Sequence, residues 1–557
     1  MSEEKDSAKR HNRESAILFA SFLLFMLIVI SGIIVRLLPY LILNYRFEVG
    51  FDTGMYERFI DFYVLSDSWN SLPAYPSFPS AYSAYRNLIE PSFFVTTSLS
   101  NLIMETNTNW LFRYYLPGIV EIFLAFISFV AGRNLTGANA GGWLSMLLVT
   151  FSYVQINAVA ESYYRQIFAT ILLIMSLVYM DKYLVSKKAS SLALFVILAS
   201  GTIGYHIAVS MLVLFAYLIS MVFLVWMRNK RMMISVGIAA VLTVLLSAPA
   251  WIPRISDILN IFVEAITSSA WRITTLLSGE GFWAAGGAIP DLFSSFPHIL
   301  IGYALFFSPI MIFSILGYLI LRKNRELHRT IPALSIIMWF YIGFWFYFGN
   351  RFLLNLDLLL CVIAPVAIIY LYRSSLRNYS KRKRQIGIVL ISAMLVVPSV
   401  FISINSQFDK APYIVQNIEA IKWIETNIPR DHSVIFAPDY LSANLIQLGY
   451  LMAVWDFSLS NYSLSNDSVH PMIVAEEFMV NAPSNLTYLR EFFTEHPDYK
   501  EKEIYVIWGT WDLDRPLVMT KKLIAVDEYA SSPYFRCVYY GYAEILYIYK
   551  YVGPTDF

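Results

Sequence analysis

Just past the first long apolar run lies FEVGFDTGMYERFIDFYVLSD (Phe47–Asp67), which carries Asp52, Glu57 and Asp61. Farther along, polar interruptions of the apolar runs hold Glu161 and Arg165 in AESYYRQ, and Tyr205 and His206 in GTIGYHIAVS. One long loop holds Arg254, Arg272 and Trp283, and Asn350–Arg351 opens a late run. Carboxylates, guanidinium groups and an imidazole at a membrane border are costly unless they are paired or functional. If the topology brings them to one side, a shared pocket for a polar ligand is the expectation.

Each residue also has a structural reading. Asp52 precedes MYERFIDFY and suits a helix N-cap. Glu57 and Asp61 recur at i,i+4 and read as a solvated helix face. Glu161 and Arg165 have the spacing of a helix ion pair. His206, between two apolar runs, can simply hydrogen-bond at the interface. Arg351 suits an anchor reaching toward headgroups. The functional expectation therefore rests on collective placement rather than on any one residue.

The elements that would place them are membrane spans. The chain of 557 residues is 57% apolar and 15% charged, far from the soluble norm. A net charge of +1 leaves no basic surplus for phosphates, so no nucleic acid partner is expected. The two cysteines, Cys361 in an apolar run and Cys537 near the C-terminus, imply no disulfide framework. The charged start MSEEKDSAKRHNRE leads into an apolar run from Ala16 without a small-residue cleavage site, and reads as an uncleaved first span. No Gly-rich phosphate loop, zinc-ligand spacing, nucleophile elbow or repeat is visible.

Runs of about 20 apolar residues suffice to cross a bilayer core. They fall near 16–38, 114–131, 141–158, 162–180, 189–204, 207–226, 233–252, 298–321, 331–348, 352–371 and 385–403. Four basic connections, DKYLVSKK, RNKR, RKNRELHR and RSSLRNYSKRKR, are an even number of spans apart, and the positive-inside rule puts all four in the cytoplasm. The expected fold is an α-helical polytopic membrane protein of about eleven spans with a small C-terminal α/β outer domain. Residues 1–403 form the membrane domain, with a first outer loop at 44–113, and 404–557 form the extracytoplasmic domain. The N-terminus is then cytoplasmic, and EPSFFVTTSLSNLIMET is an embedded or amphipathic outer segment rather than a span. In the last part, AIKWIETNIPRDHSVIFAPDY reads as helix, Pro-containing turn and strand, EIYVIWGTW as a strand, and RCVYYGYAEILYIYKYV as a hairpin about Gly541. SNLTYLREFFTEH reads as a helix capped by Ser484. Sequons at Asn461, Asn466 and Asn485 would be accessible on the outer side.

Taken together, the chain resembles the GT-C superfamily of integral-membrane glycosyltransferases. GFDTGMYERF is similar to the family's acid-led first outer loop, and EPSFFVTTSLSNLI to its HPPL stretch. WLFRYYLPGIVEIFLAFISFVAGRNLTG resembles the second span and its turn. GNRFLLNLDLLLCVIAPVAI resembles a late span opened by Arg and an aromatic residue, and IEAIKWIETNIPRDHSVIF the start of the outer domain.

The resemblance implies transfer of a sugar from a polyprenyl- or dolichyl-phosphate donor to a glycan, lipid or protein acceptor, with inversion, on the outer face of the cell membrane. Asp52 matches the first-loop acid and would be the general base on the acceptor hydroxyl. Arg351, with Arg165 and His206 behind it, would meet the leaving phosphate, a task suited to guanidinium groups. Tyr56, Arg58, Glu161, Tyr205 and Trp283 would contact substrate. Asp52 and Arg58 also have the acid–Arg spacing of single-subunit oligosaccharyltransferases, and in VIFAPDYLSANLI the pair Asp439–Tyr440 matches part of their WWDYG motif. Ala437, Pro438 and Leu441 depart from it, and of their acidic metal-binding motif only Glu161 remains. No metal or other cofactor is therefore expected. An oligosaccharyltransferase, a glycan polymerase or ligase, and an inactive scaffold are the alternatives. The non-enzyme rival is a transporter, which would want midplane acids and broken helices. Glu121 and Asp357 are the conspicuous intramembrane acids.

Overall fold

The computed structural model describes residues 2–43, 56–57, 60, 91–105, 108–160, 162–252, 255, 308–323, 330–343, 353–374, 380–430, 432–437, 445, 451–452, 471–509, 526–541 and 546–555. The helices of the apolar part are α1 (Ser2–Leu43), α2 (Pro91–Met104), a π-helical turn (Leu111–Tyr115) running into α3 (Leu116–Thr136), α4 (Asn139–Thr150), α5 (Tyr153–Ala160) and α6 (Tyr164–Ser186). They continue with α7 (Ala189–Tyr205), α8 (Ile207–Trp226), α9 (Lys230–Trp251), α10 (Ser308–Lys323), α11 (Thr330–Gly343), α12 (Leu353–Arg373) and α13 (Lys381–Asn427).

Every expected span overlaps one of these helices or the pair α4–α5. By length and composition, seven described helices can cross a membrane, or eight if α4 and α5, bent by 46°, count as one span. The chain is a multi-pass membrane protein. α12 lies at the centre, with 94% of its span buried and Asn355 and Asp357 inside it, whereas α1 and α13 are 17% buried at the periphery. α3 and α4 cross through small residues: Gly132, Gly141, Gly142, Ser128 and Ser145 are all buried. A Cβ on Gly142 would lie 2.7 Å from the Phe129 carbonyl oxygen, so the two backbones approach as closely as glycine allows. α2 has 14 residues, about 21 Å of helix, too short to cross a core of about 30 Å. It buries Phe93, Thr97, Ser98 and Asn101 and exposes Leu99, Leu102 and Ile103.

α13 runs unbroken for 47 residues, so the expected division at 403/404 falls inside a helix. Beyond it come β1 (Ser433–Phe436), β2 (Leu451–Met452), α14 (Pro471–Asn481), α15 (Leu486–Glu495), β3 (Glu503–Gly509), α16 (Val526–Ser531), β4 (Phe535–Tyr540) and β5 (Leu546–Tyr551). The strands form one sheet in the order β2-β1-β3-β5-β4. β1 pairs in parallel with β2 and β3, and β5 antiparallel with β3 and β4. The expected hairpin strands flank Gly541, whose N–H donates to the Leu546 carbonyl at 2.7 Å. One side of the sheet meets α13 through Trp423 and Tyr539, 5.2 Å between ring centres. The other packs aromatic rings: Phe436 on Phe478 at 4.2 Å, and Tyr529 on Tyr549 at 5.1 Å.

The cap of α15 is corrected by one residue. Asn485, not Ser484, takes the position, because its side-chain oxygen reaches the Tyr488 N–H at 2.9 Å. Ser484 instead donates to Glu528 Oε2 at 3.2 Å. Cys361 is buried and Cys537 exposed, both as free thiols.

Candidate functional site

Four of the expected site residues, Tyr56, Arg165, Tyr205 and His206, lie among the described residues and come together at one end of the bundle. α6 starts and α7 ends on the same side, because consecutive spans alternate direction. Arg165 is the second residue of α6 and Tyr205 the last of α7, so both project at that end.

Tyr56 belongs to the short helical turn of the first loop. That turn inserts into the bundle, leaving Tyr56 2%, Glu57 1% and Ile60 0% exposed. Glu57 thus corrects the solvated-face reading: tertiary packing turns this side of the loop inward, whatever its acid spacing. Tyr56 meets Phe93 of α2 edge-on at 5.8 Å and Phe112 of the π-helical turn at 6.5 Å. Its hydroxyl accepts from Arg165 Nε at 2.9 Å, and the Arg165 guanidinium carbon lies 4.8 Å from its ring centre. Such a cation–π contact strengthens where water is excluded.

An aromatic path continues from there. Phe93 contacts Phe168 of α6 at 6.3 Å, and Phe168 contacts Tyr205 at 5.9 Å. Tyr205 and Thr96 of α2 share a hydrogen bond at 2.9 Å. His206 sits at the corner between α7 and α8 and caps α8: its Nδ1 accepts from the Val209 N–H at 3.4 Å. An imidazole that accepts at Nδ1 in its neutral form carries its proton on Nε2, which can then donate to an anion. First loop, α2, α6 and the α7–α8 corner are therefore linked through side chains.

Asp52, Arg58, Asp61, Glu161, Arg254, Arg272, Trp283, Asn350 and Arg351 lie outside the described residues, as do Asn461, Asn466, Asp439 and Tyr440. Among the described residues no three His, Cys, Asp or Glu side chains group as a metal site would require. Phe93, Thr96 and Phe168 had no role in the sequence reading. Their signal is weak, since aromatic residues are 16% of the chain. Arg36 has a clearer signal, as a lone guanidinium inside the first apolar run.

No family model matches the chain, and no curated protein matches it in sequence. Among solved structures it resembles ArnT from Cupriavidus metallidurans in the apo state, at 11% identity and a TM-score of 0.52, covering 96% of this chain and 100% of that one. The same enzyme bound to undecaprenyl phosphate aligns at 11% identity and a TM-score of 0.48, over 96% of this chain and 98% of that one. The apo comparison shows that this chain has the fold of ArnT.

Proposed function

We propose that this protein is an integral-membrane glycosyltransferase that moves a sugar from a lipid-phosphate donor to an acceptor hydroxyl on the outer face of the membrane. The fold shared with ArnT supports the class. The observation that carries the reading is the Arg165–Tyr56 bond, because it ties the loop bearing Asp52 to a cation at the start of α6. Tyr56 follows Asp52 by four residues in the sequence.

In the proposed reaction Asp52 accepts the proton of the acceptor hydroxyl as its oxygen attacks the anomeric carbon. The bond from that carbon to the donor phosphate breaks and configuration inverts. Arg351, Arg165 and His206 meet the charge that develops on the departing lipid phosphate. Arg165 is pre-oriented for this by its bond to Tyr56, and His206 by its bond to the Val209 N–H. Arg58, Glu161, Tyr205, Trp283 and Tyr56 line the sugar and acceptor side. The sheet region lies on the same outer side, with the N-terminus in the cytoplasm.

The test supplies polyprenyl- and dolichyl-phosphate sugars to the purified protein in lipid nanodiscs and compares wild type with Asp52→Asn. Transfer by wild type, with loss of at least about a hundredfold in the folded variant, is expected for a missing general base. Undiminished transfer by Asp52→Asn removes that role from Asp52. Absence of turnover with every donor defeats the transferase reading. Chelator in the same assay is expected to leave the rate unchanged.

A further inference from the structure

The span formed by α4 and α5 bends by 46° where the two helices meet. A break within a span frees backbone groups that lipid cannot satisfy. Two neighbouring helices supply partners for the backbone, and a third binds side chains at the break. The Thr150 carbonyl at the end of α4 accepts from Arg36 Nη1 of α1 at 2.9 Å. The Tyr153 N–H at the start of α5 donates to Ser399 Oγ of α13 at 2.6 Å. Ser152 Oγ and Gln155 Nε2 both donate to Asp357 Oδ2 of α12 at 2.8 Å.

The signs of the two charges fit the helix dipoles. A cation stands at the C-terminal end of α4 and a carboxylate beside the N-terminal end of α5. Arg36 is itself neutralised: its Nη1 pairs with Glu121 Oε2 of α3 at 2.7 Å, both side chains being 0% exposed. Thr150 Oγ1 completes the set by donating to Glu121 Oε1 at 2.6 Å. Glycine at position 32 makes room, since a Cβ there would lie 2.5 Å from Glu121 Oε1. Transporters with broken helices leave such ends for cargo. In this chain its own charges occupy both ends, which makes the break a fixed joint.

The helices that meet at the joint lead to three parts of the proposed pocket. α1 runs toward the first loop with Asp52 and Tyr56. α12 begins two residues after Arg351. α5 ends at Ala160, immediately before Glu161 and the turn into Arg165. We infer that Arg36 and Asp357 are positioning residues that fix the direction of α5 against α1 and α12, and so set Arg165, which follows α5, against Tyr56 of the first loop. The joint stands on geometry alone, whereas its consequence for turnover rests on the transferase reading.

The test uses the full-length protein in nanodiscs and two neutralising variants. Asp357→Ala removes the carboxylate. Arg36→Met/Glu121→Gln removes the cation without leaving a lone buried anion, so that folding is preserved. Amide exchange in residues 153–160 is expected to quicken about tenfold or more in both, while residues 189–251 keep their wild-type rates. Arg36→Lys, which keeps a donor for the Thr150 carbonyl, restores part of that protection. With polyprenyl-phosphate sugar as donor, kcat falls about tenfold or more while KM changes little. Unchanged exchange, or exchange raised evenly through the bundle, overturns the joint. Local loosening with unchanged kcat overturns the positioning role. A wild type that transfers no sugar defeats the transferase reading and the positioning role with it, and the exchange rates still decide the joint.

Discussion

Arg165 Nε donates to the Tyr56 hydroxyl at 2.9 Å while its guanidinium lies over the same ring, joining residues 109 positions apart. Removing the hydroxyl separates the two contacts. Tyr56→Phe keeps the ring under the cation but withdraws the acceptor, and hydrogen bonds to charged groups contribute about 1.5–3 kcal/mol. We expect kcat/KM for sugar transfer to fall about tenfold in Tyr56→Phe, with the melting temperature lowered by a few degrees at most. Arg165→Ala, which loses both contacts and the charge, should fall about a hundredfold. Steady-state kinetics on the two variants decide this. Equal rates for Tyr56→Phe and wild type would show that the bond does not orient Arg165.

His206 combines a cap with a proposed donor to phosphate, and substitutions can divide the two. Asparagine is a good N-cap, so His206→Asn should melt within about a degree of wild type, whereas His206→Ala loses about 1 kcal/mol. Neither side chain reproduces an imidazole Nε2–H at the same reach. Transfer should therefore drop about tenfold in both variants despite their different stabilities. A fully active His206→Asn would reduce His206 to its cap.

The legibility of this molecule in its sequence follows from separation along the chain. Helix positions in the apolar part depend on runs of neighbouring residues, and each expected span meets a helix for that reason. The strands about Gly541 were readable on the same grounds. Contacts across the bundle were not. Tyr56 and Arg165 are both conspicuous, yet their bond depends on how the first loop folds back over α6. Glu57 read as solvated because Asp61 follows at i,i+4, but the packing of Tyr56 and Ile60 turns it inward. Glu121 stood out alone, and its partner Arg36 was hidden inside the first apolar run. The continuity of α13 through residue 403 was equally invisible, since Pro398 and Pro412 flank that point and the composition turns from apolar to mixed there, both signs of a helix end.

A pH effect is expected in the sheet. Hydrogen bonds from Lys550 and from the Tyr505 hydroxyl, the latter at 2.7 Å, hold the Glu503 carboxyl below its ordinary value of 4.5. The unfolded chain then takes up the proton first as pH falls. The stabilisation is present in full above pH 4.5 and is lost as pH drops through the lower folded value. With the Glu503 side chain 40% exposed, solvent and salt screen the pair, so the effect is small and shrinks at high ionic strength. Amide exchange in β3 at low salt should quicken below pH 4.5 in wild type, after correction for the intrinsic pH dependence. In Glu503→Gln that dependence should vanish. Persistence of the same profile in the variant would assign it to another group.

The α3–α4 crossing offers the sharpest test of packing. At Gly142 an added Cβ would stand 2.7 Å from the Phe129 carbonyl oxygen and 2.8 Å from Phe129 Cδ2. A backbone oxygen cannot rotate away, and the Phe129 ring is already edge-on to Trp143 at 4.9 Å. Relief therefore requires the two helices to part along Gly132, Gly141 and Ser145, which costs about 1–3 kcal/mol for one forced methyl. Gly142→Ala should accordingly lower the melting temperature by several degrees in detergent. Gly118→Ala on the same helix pair meets no atom within 4 Å and should be neutral or slightly stabilising, since alanine favours helix over glycine. Equal melting of the two variants would show that the close crossing of α3 and α4 does not contribute to stability.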